Sequence, residues 1–445
     1  MHASGTVVFG LDPFWVSLAL FAATYVTIIT ERLNRAIVAL LGAGLMVISG
    51  VITQHAAMRN GVDFNTLGLL TGMMVIVAIT RKCGIFQYVA IWSAKRVHAS
   101  PWGILVMLAL VTAVFSAFLD NVTTVLLVAP VTLLITEELK VDPYPFLFAE
   151  IFASNVGGTA TLIGDPPNIM IGSATGLSFN EFVFHLAPAV AVILLATLVP
   201  IYLVWGRRLT ATPEARARVM QFKERETISD TRLLKQSLAV LAAVVLGFIL
   251  AHPLHLEPAT IAMAGAAVLL LLDNFAHSAD QQSERVHKAF GEVEWVTIFF
   301  FLGLFIVVHG IETAGVLKWV ANQVVRLTGG NLALTAQAIL WVSAIASAIV
   351  DNIPFVATMI PLIKSMAPVY GDLKHIEPLW WSLALGACLG GNGTLIGASA
   401  NLVVAGIAER AGRPIRFLPF LLTAFPLMLL SIVISSLYVY LRYFS

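Results

Sequence analysis

Stretches of about 20 apolar residues recur along the whole of this 445-residue chain, and about 20 residues of helix cross a bilayer core of about 30 Å. Ten segments qualify: 13–30, 35–53, 65–81, 145–175, 182–205, 235–251, 258–274, 292–310, 378–408 and 417–441. The segments 145–175 and 378–408 are broken in the middle. Two further apolar pairs, 101–138 and 333–368, each contain a sharp polar corner. Composition agrees, with 59% hydrophobic and 11% charged residues, where a soluble chain carries about a quarter charged. The expected fold is all-α and integral to a membrane, with about ten transmembrane helices plus two re-entrant hairpins.

A net charge of +1 argues against nucleic acid as a partner. Cys83 and Cys388 cannot form a disulfide framework and have no metal-ligand company. There is no HExxH, nucleophile elbow or Walker loop, so neither an enzyme nor a cofactor is expected. The N-terminus lacks a basic n-region and an A-x-A site, so its first apolar stretch reads as a retained helix.

Basic residues set the orientation. With the N-terminus outside, the cytoplasmic segments hold Arg32, Arg35, Arg81, Lys82, Lys95, Arg96, Lys140, the cluster from Arg207 to Lys235, Arg285, Lys288, Arg410, Arg413 and Arg416, which is 20 of the 26. Both termini then lie outside a cell (inner) membrane crossed many times. The segment 206–234 reads as a solvated cytoplasmic linker between a first repeat, 1–205, and a second, 235–445.

The repeat is explicit. FLDNVTTVLLVAPV from Phe118 matches AIVDNIPFVATMIP from Ala348, with Asp120/Asp351 and Asn121/Asn352 offset by 231. NVGGTATLIGDPPNIMIG from Asn155 matches CLGGNGTLIGASANLVVAG from Cys388 at an offset of 233. Gly72 and Gly84 pair with Gly303 and Gly315. Each half has an odd number of full spans, so the second half enters from the opposite side, the plan of many secondary transporters.

The polar interruptions carry the chemistry. Asp120-Asn121-Val122-Thr123-Thr124 and Asp351-Asn352 read as tips of re-entrant hairpins, although Asp and Asn are also good helix caps. Irregular backbone at depth must line a cavity or be buried in protein. A helix from Pro145 rises roughly 18 Å over 12 residues, which brings Gly157-Gly158 near mid-bilayer. It is expected to stop there, run extended with Thr159 and Thr161 exposed, and restart at Pro166-Pro167 with Asp165 as N-cap. Its twin contains Gly390-Gly391-Asn392-Gly393-Thr394 and Ser399. Candidate solute ligands are Asn121, Thr123, Thr124, Asn155, Gly158, Thr159, Thr161 and Asn168, with Asn352, Asn392, Thr394, Ser399 and Asn401 from the second half. Intramembrane carboxylates are functional hypotheses by default. Asp120, Asp351 and Asp165 are therefore candidate proton carriers, and the same oxygens suit Na+. Glu150 has Leu383 as its counterpart. No arginine is expected at either break. Cys388 reads as packing, Lys364 as snorkelling and His309 as structural.

These residues resemble the ion-transporter superfamily, in the branch holding the ArsB arsenite pump and the melanosomal P protein. The resemblance rests on the D-N-x-x-x-x…P tips and the G-G-x-x-T-x-I-G-D-P-P-N stretch. It implies a mobile transport domain of hairpins and broken helices, an elevator-like movement, and a homodimerising scaffold of early helices. Surface arms follow Gly84 and Gly315. Sodium–dicarboxylate relatives carry S-N-T tips, and Asp120 and Asp351 replace that Ser, which favours protons over sodium. By the same resemblance the solute is arsenite or antimonite, extruded against protons, with a cytoplasmic ATPase subunit as a further partner. A sodium/proton antiporter and an organic-anion or carboxylate transporter are the alternatives.

Overall fold

The computed structural model describes Val7 and residues 10–445, apart from Glu31 and Leu373. The extreme N-terminus, expected on the outside, lies outside the described residues. The first half runs through α1 (Pro13–Ile29), α2 (Arg35–Ile48), a single turn α3 (Gln54–Ala56), α4 (Phe64–Arg81) and α5 (Ile85–Arg96). It continues with α6 (Pro101–Phe118), α7 (Asn121–Leu139), α8 (Tyr144–Gly158), α9 (Pro166–Thr175) and α10 (Phe179–Ile201). After the linker helix α11 (Pro213–Met220), the second half repeats the order with α12 (Thr231–Leu254) and α13 (Pro258–Asn274). There follow α14 (Ala279–Gly291), α15 (Trp295–Thr313), α16 (Val316–Leu327), α17 (Leu332–Ile349) and α18 (Asn352–Tyr370). The last elements are α19 (Glu377–Gly390), α20 (Ser399–Arg410) and α21 (Phe417–Tyr443). No strand occurs among the described residues.

Nine described helices are long and apolar enough to cross a membrane. Large apolar side chains such as Leu195, Val199, Leu422 and Leu437 point outward from α10 and α21, which lipid tolerates and water does not. The two expected hairpins are α6–α7 and α17–α18, each turning within two residues at its Asp. The two expected breaks separate α8 from α9 and α19 from α20. Gly84 and Gly315 adopt left-handed φ values of 80° and 84°, which glycine takes without strain, and there the chain turns into α5 and α16.

Packing follows the repeat. α4 lies on α13 and α15 lies on α2, while α6 packs on α8 as α17 packs on α19. The last two contacts depend on missing side chains. A Cβ on Gly157 would lie 2.2 Å from the Ala113 carbonyl oxygen, and one on Gly390 would lie 2.5 Å from that of Ala344. The obstacle is backbone and cannot rotate away. Gly157→Ala is therefore expected to destabilise by about 1–3 kcal/mol or more, while Gly44→Ala, with open space at its Cβ position, is neutral or stabilising. Thermal unfolding in detergent compares them, and equal melting points would contradict this packing.

The linker stays largely exposed, yet part of it is fastened to the helices. Ala215 and Val219 of α11 are buried. Arg218 donates to the Glu138 carboxylate (3.1 Å) and carbonyl (2.7 Å) at the end of α7. Lys95 of α5 donates to Glu224 at 2.6 Å. The run of charge straps the linker to one face of the molecule, hereafter the linker face.

Candidate substrate and coupling site

Both hairpin tips are held by their own aspartates. Asp120 caps α7, accepting from the Thr123 N–H (2.8 Å) and hydroxyl (2.5 Å). Asp351 caps α18 through the Ile353 N–H at 3.1 Å. Such caps satisfy donors that a helix start leaves free. The second carboxylate oxygens then diverge. That of Asp120 is used locally by Thr123. That of Asp351 accepts from Arg35 Nη1 at 2.7 Å and from the Ser399 hydroxyl at 2.9 Å. Arg35 also donates to Ser399 at 2.9 Å, and its guanidinium lies 5.0 Å from the centre of the Phe300 ring. The expectation that no arginine sits at either break is overturned: the first helical residue of α2 reaches across to the second tip and the second break.

Asp165 occupies the N-cap position of α9 but does not cap it. The reason is local. An N-cap side chain normally accepts from the N–H of the second or third helical residue. The second is Pro167, which has no N–H, and the third, Asn168, donates instead to the Asp165 backbone carbonyl at 2.9 Å. The carboxyl is free to turn inward. It is 1% exposed and accepts from Asn121 Nδ2 at 3.3 Å and from Asn352 Nδ2 at 3.4 Å. One amide from each tip thus converges on it.

Behind Asp165 lies a buried amide cluster. Asn155 Nδ2 donates to Asn392 Oδ1 and Asn401 Oδ1, both at 2.9 Å, and its Oδ1 accepts from Asn121 at 3.2 Å. Asn168 ties down the Thr159 and Thr161 carbonyls at 3.1 and 2.9 Å. Its twin Asn401 does the same for Gly391 and Thr394, both at 2.8 Å. These bonds occupy carbonyls that the helix breaks leave free. Cys388, the twin of Asn155, donates to Asn168 Oδ1 at 3.6 Å. It sits inside this cluster rather than in plain apolar packing.

Several expected ligands are already engaged. Thr159 and Thr161 are buried, not exposed, and their hydroxyls donate to the Asn155 and Ala117 carbonyls at 2.7 and 2.5 Å. Thr394 donates to Ala348 at 2.6 Å. Gly158 packs against the Gly164 backbone. Thr123 serves the cap, while the Thr124 hydroxyl is buried with no partner among the described residues. Glu150, fully buried, meets the Thr132 hydroxyl. His309 pairs with Glu312 at 3.3 Å, and both line a separate cavity with Asp63 and Lys364.

The groups left facing free space are Asp120, Asn121, Asp165, Asn352 and Ser399, together with Arg35, Glu294 and Thr297. The free volume among them, about 20 Å³, has room for one or two waters. Glu294 and Thr297 were not singled out from sequence, yet the 231 offset pairs them with Asp63 and Thr66. Three carboxyl groups (Asp120, Asp165 and Glu294) thus line the cavity with Arg35, whose ion-pair partner Asp351 is a fourth.

Comparison with known proteins agrees with this architecture. Residues 25–386 match the family described as citrate transporter (CitMHS). An uncharacterized transporter of Mycobacterium tuberculosis is 45% identical over 433 residues, covering 96% of this chain and 98% of the relative. The human P protein is 34% identical over 505 aligned positions, covering 95% of this chain and 59% of that protein. The crystal structure of the YdaH transporter of Alcanivorax borkumensis superposes with a TM-score of 0.60 at 13% identity, covering 96% of this chain and 98% of that one. Helices paired in this way, two broken helices and a buried polar centre accord with a sequence match over most of the chain: it belongs to the CitMHS citrate-transporter family of the ion-transporter superfamily, and is a membrane transporter rather than an enzyme.

Proposed function

We propose that the chain is a proton-coupled secondary transporter working by alternating access, with its solute held between the two tips and Asp165. One observation carries the reading. Asp165 is buried, free of any capping role, and accepts from two amides at 3.3–3.4 Å, with no basic partner among the described residues. Isolating a carboxylate charge from water without a cation is costly, and taking up a proton removes that cost. The linker face is cytoplasmic on the basic-residue distribution. The hairpins and broken helices move as a unit against α1, α2, α4, α12, α13 and α15.

Arsenite or antimonite, exported as the neutral trihydroxide, is the leading solute. Its hydroxyls match amide and carboxyl oxygens and need no cation from the protein. Cys388 adds a thiol within the same cluster. A second reading, a citrate-like carboxylate, is favoured by Arg35, because a guanidinium pairs well with carboxylates. The family description points the same way. Such a solute has to displace Asp351 from Arg35 and enter among four carboxyl groups.

Everted membrane vesicles separate these readings. Gradient-dependent uptake of arsenite, and not citrate, is the expected result. Gradient-dependent citrate uptake without arsenite uptake selects the second reading. Sodium-evoked proton release with neither solute moving overturns both.

A further inference from the structure

We propose that Arg35 is the residue that strips the proton from Asp351 at the linker face, making the two tip aspartates unequal partners in coupling. The inference rests on the proton-coupled reading above and deepens it.

The pairing joins parts that the repeat would otherwise keep equivalent. Arg35 Nη1 lies 2.7 Å from Asp351 Oδ2, with the Ser399 hydroxyl bonded to both. α2 corresponds to α13, since α15 packs on α2 as α4 packs on α13. α13 begins with Pro258 where α2 begins with Arg35. Asp120, the twin of Asp351, has only Thr123 on its carboxylate among the described residues. One tip has a counter-ion and the other has none.

The second observation concerns what lies at the two ends of the path. Glu294, at the N-cap of α15, and Thr297, on its first turn, line the central cavity. Their twins Asp63, at the N-cap of α4, and Thr66, on its first turn, belong to the other end. Asp63 lines the separate cavity beside Lys364 and accepts from Ser173 at 2.9 Å. A carrier made of two inverted halves reaches its other state by exchanging the conformations of the two halves. Exchanging them takes the Asp351 tip to the Asp63–Thr66 end and replaces the Arg35 position by Pro258. Asp351 then leaves Arg35 and approaches the Asp63 carboxylate; Lys364, the cation beside Asp63, lies on α18, roughly 20 Å along the helix from Asp351, and travels with it.

The step balances simply. With the tip at the far end, the Asp351 carboxylate takes a proton from water there. On return, Arg35, which stays protonated throughout, closes on the carboxyl group. The O–H bond breaks, the proton passes to water at the linker face, and the ion pair forms. The other charged groups around Asp351 are Asp165 from the first break, Asp120 from the other tip and Glu294 from α15. All are acidic, so among the described residues Arg35 supplies the positive charge.

Infrared spectroscopy of the full-length protein in liposomes tests this by following the protonated-carboxyl band at neutral pH. Arg35→Gln is expected to gain band intensity, Arg35→Lys to stay at the wild-type level, and Arg35→Gln with Asp351→Asn to lose the gain. An unchanged band in Arg35→Gln overturns the proposal, as does a gain that survives Asp351→Asn. Should Arg35→Gln fail to fold, Asp351→Asn alone decides. With the protein in the state that pairs Asp351 with Arg35, no loss of band intensity is expected from it, and a loss overturns the proposal. None of these readings depends on a solute being transported. Failure of gradient-driven uptake in vesicles would therefore be a distinct result, bearing on the transport reading itself.

Discussion

Asp165→Asn is expected to abolish gradient-driven accumulation of solute while leaving the protein folded and able to exchange solute between equal concentrations. Asparagine has nearly the same shape, and its Oδ1 still accepts from Asn121 and Asn352. Those bonds are 3.3 and 3.4 Å long, so replacing the acceptor changes little of the folding energy, within about 1 kcal/mol. No helix cap is lost, because Asp165 caps nothing. What disappears is the capacity to gain and lose a proton at the point where both tips meet. The contrast with Asp120→Asn is informative. Asp120 caps α7 and is bonded to Thr123, so that variant loses stability as well as coupling. Transport in proteoliposomes, with and without an imposed pH gradient, checks the prediction. Accumulation by Asp165→Asn at the wild-type level would sink the role assigned to this residue.

The scaffold of this arrangement was legible because helices and breaks leave a mark in one dimension. Apolar runs set the spans, the Gly-Gly and Pro-Pro pairs set the ends of α8 and α9, and the 231 and 233 offsets tied the halves together. What was hidden was the use to which each polar side chain is put. A broken helix exposes carbonyls that must find donors, and the nearest hydroxyls and amides supply them. Thr159, Thr161 and Thr394 are consumed in this way, as are the amides of Asn168 and Asn401. Asp165 looked like a cap because its position is one, yet the prolines that mark the helix start also remove the N–H it would have capped. Arg35 counted as one more basic loop residue, since charge statistics carry no information on reach. Glu294 and Thr297 were within reach of the repeat, as the twins of Asp63 and Thr66, had the offsets been applied to every polar position, whereas Cys388 was paired with Asn155 but read as packing. The exposed charge of the linker hid its attachment, since the ion pairs of Arg218 and Glu224 and the buried Ala215 and Val219 fasten it to α5 and α7.

Asn155 and Cys388 occupy equivalent places in the two halves, and replacing them is expected to have very unequal consequences. Both donors of the Asn155 amide are used at 2.9 Å, on Asn392 and Asn401. All three residues are fully buried. Asn155→Leu keeps the number and branching of the side-chain heavy atoms and removes both donors. Two buried carbonyl oxygens then lose their partner, at a cost of about 1–3 kcal/mol each. Asn392 is left with one long bond, from its Nδ2 to the Phe152 carbonyl at 3.4 Å, so little remains to fix its orientation. Cys388 offers a single weak donor at 3.6 Å to Asn168, and Asn168 keeps its bonds to the Thr159 and Thr161 carbonyls. Cys388→Ala therefore leaves one small void and one carbonyl oxygen without its weak thiol contact, for a smaller cost than Asn155→Leu. Thermal unfolding in the same detergent measures the difference. A much larger drop in melting temperature for Asn155→Leu than for Cys388→Ala is the expected outcome. Equal drops would mean that the two halves bear the load alike, and that the amide cluster does not join them through Asn155.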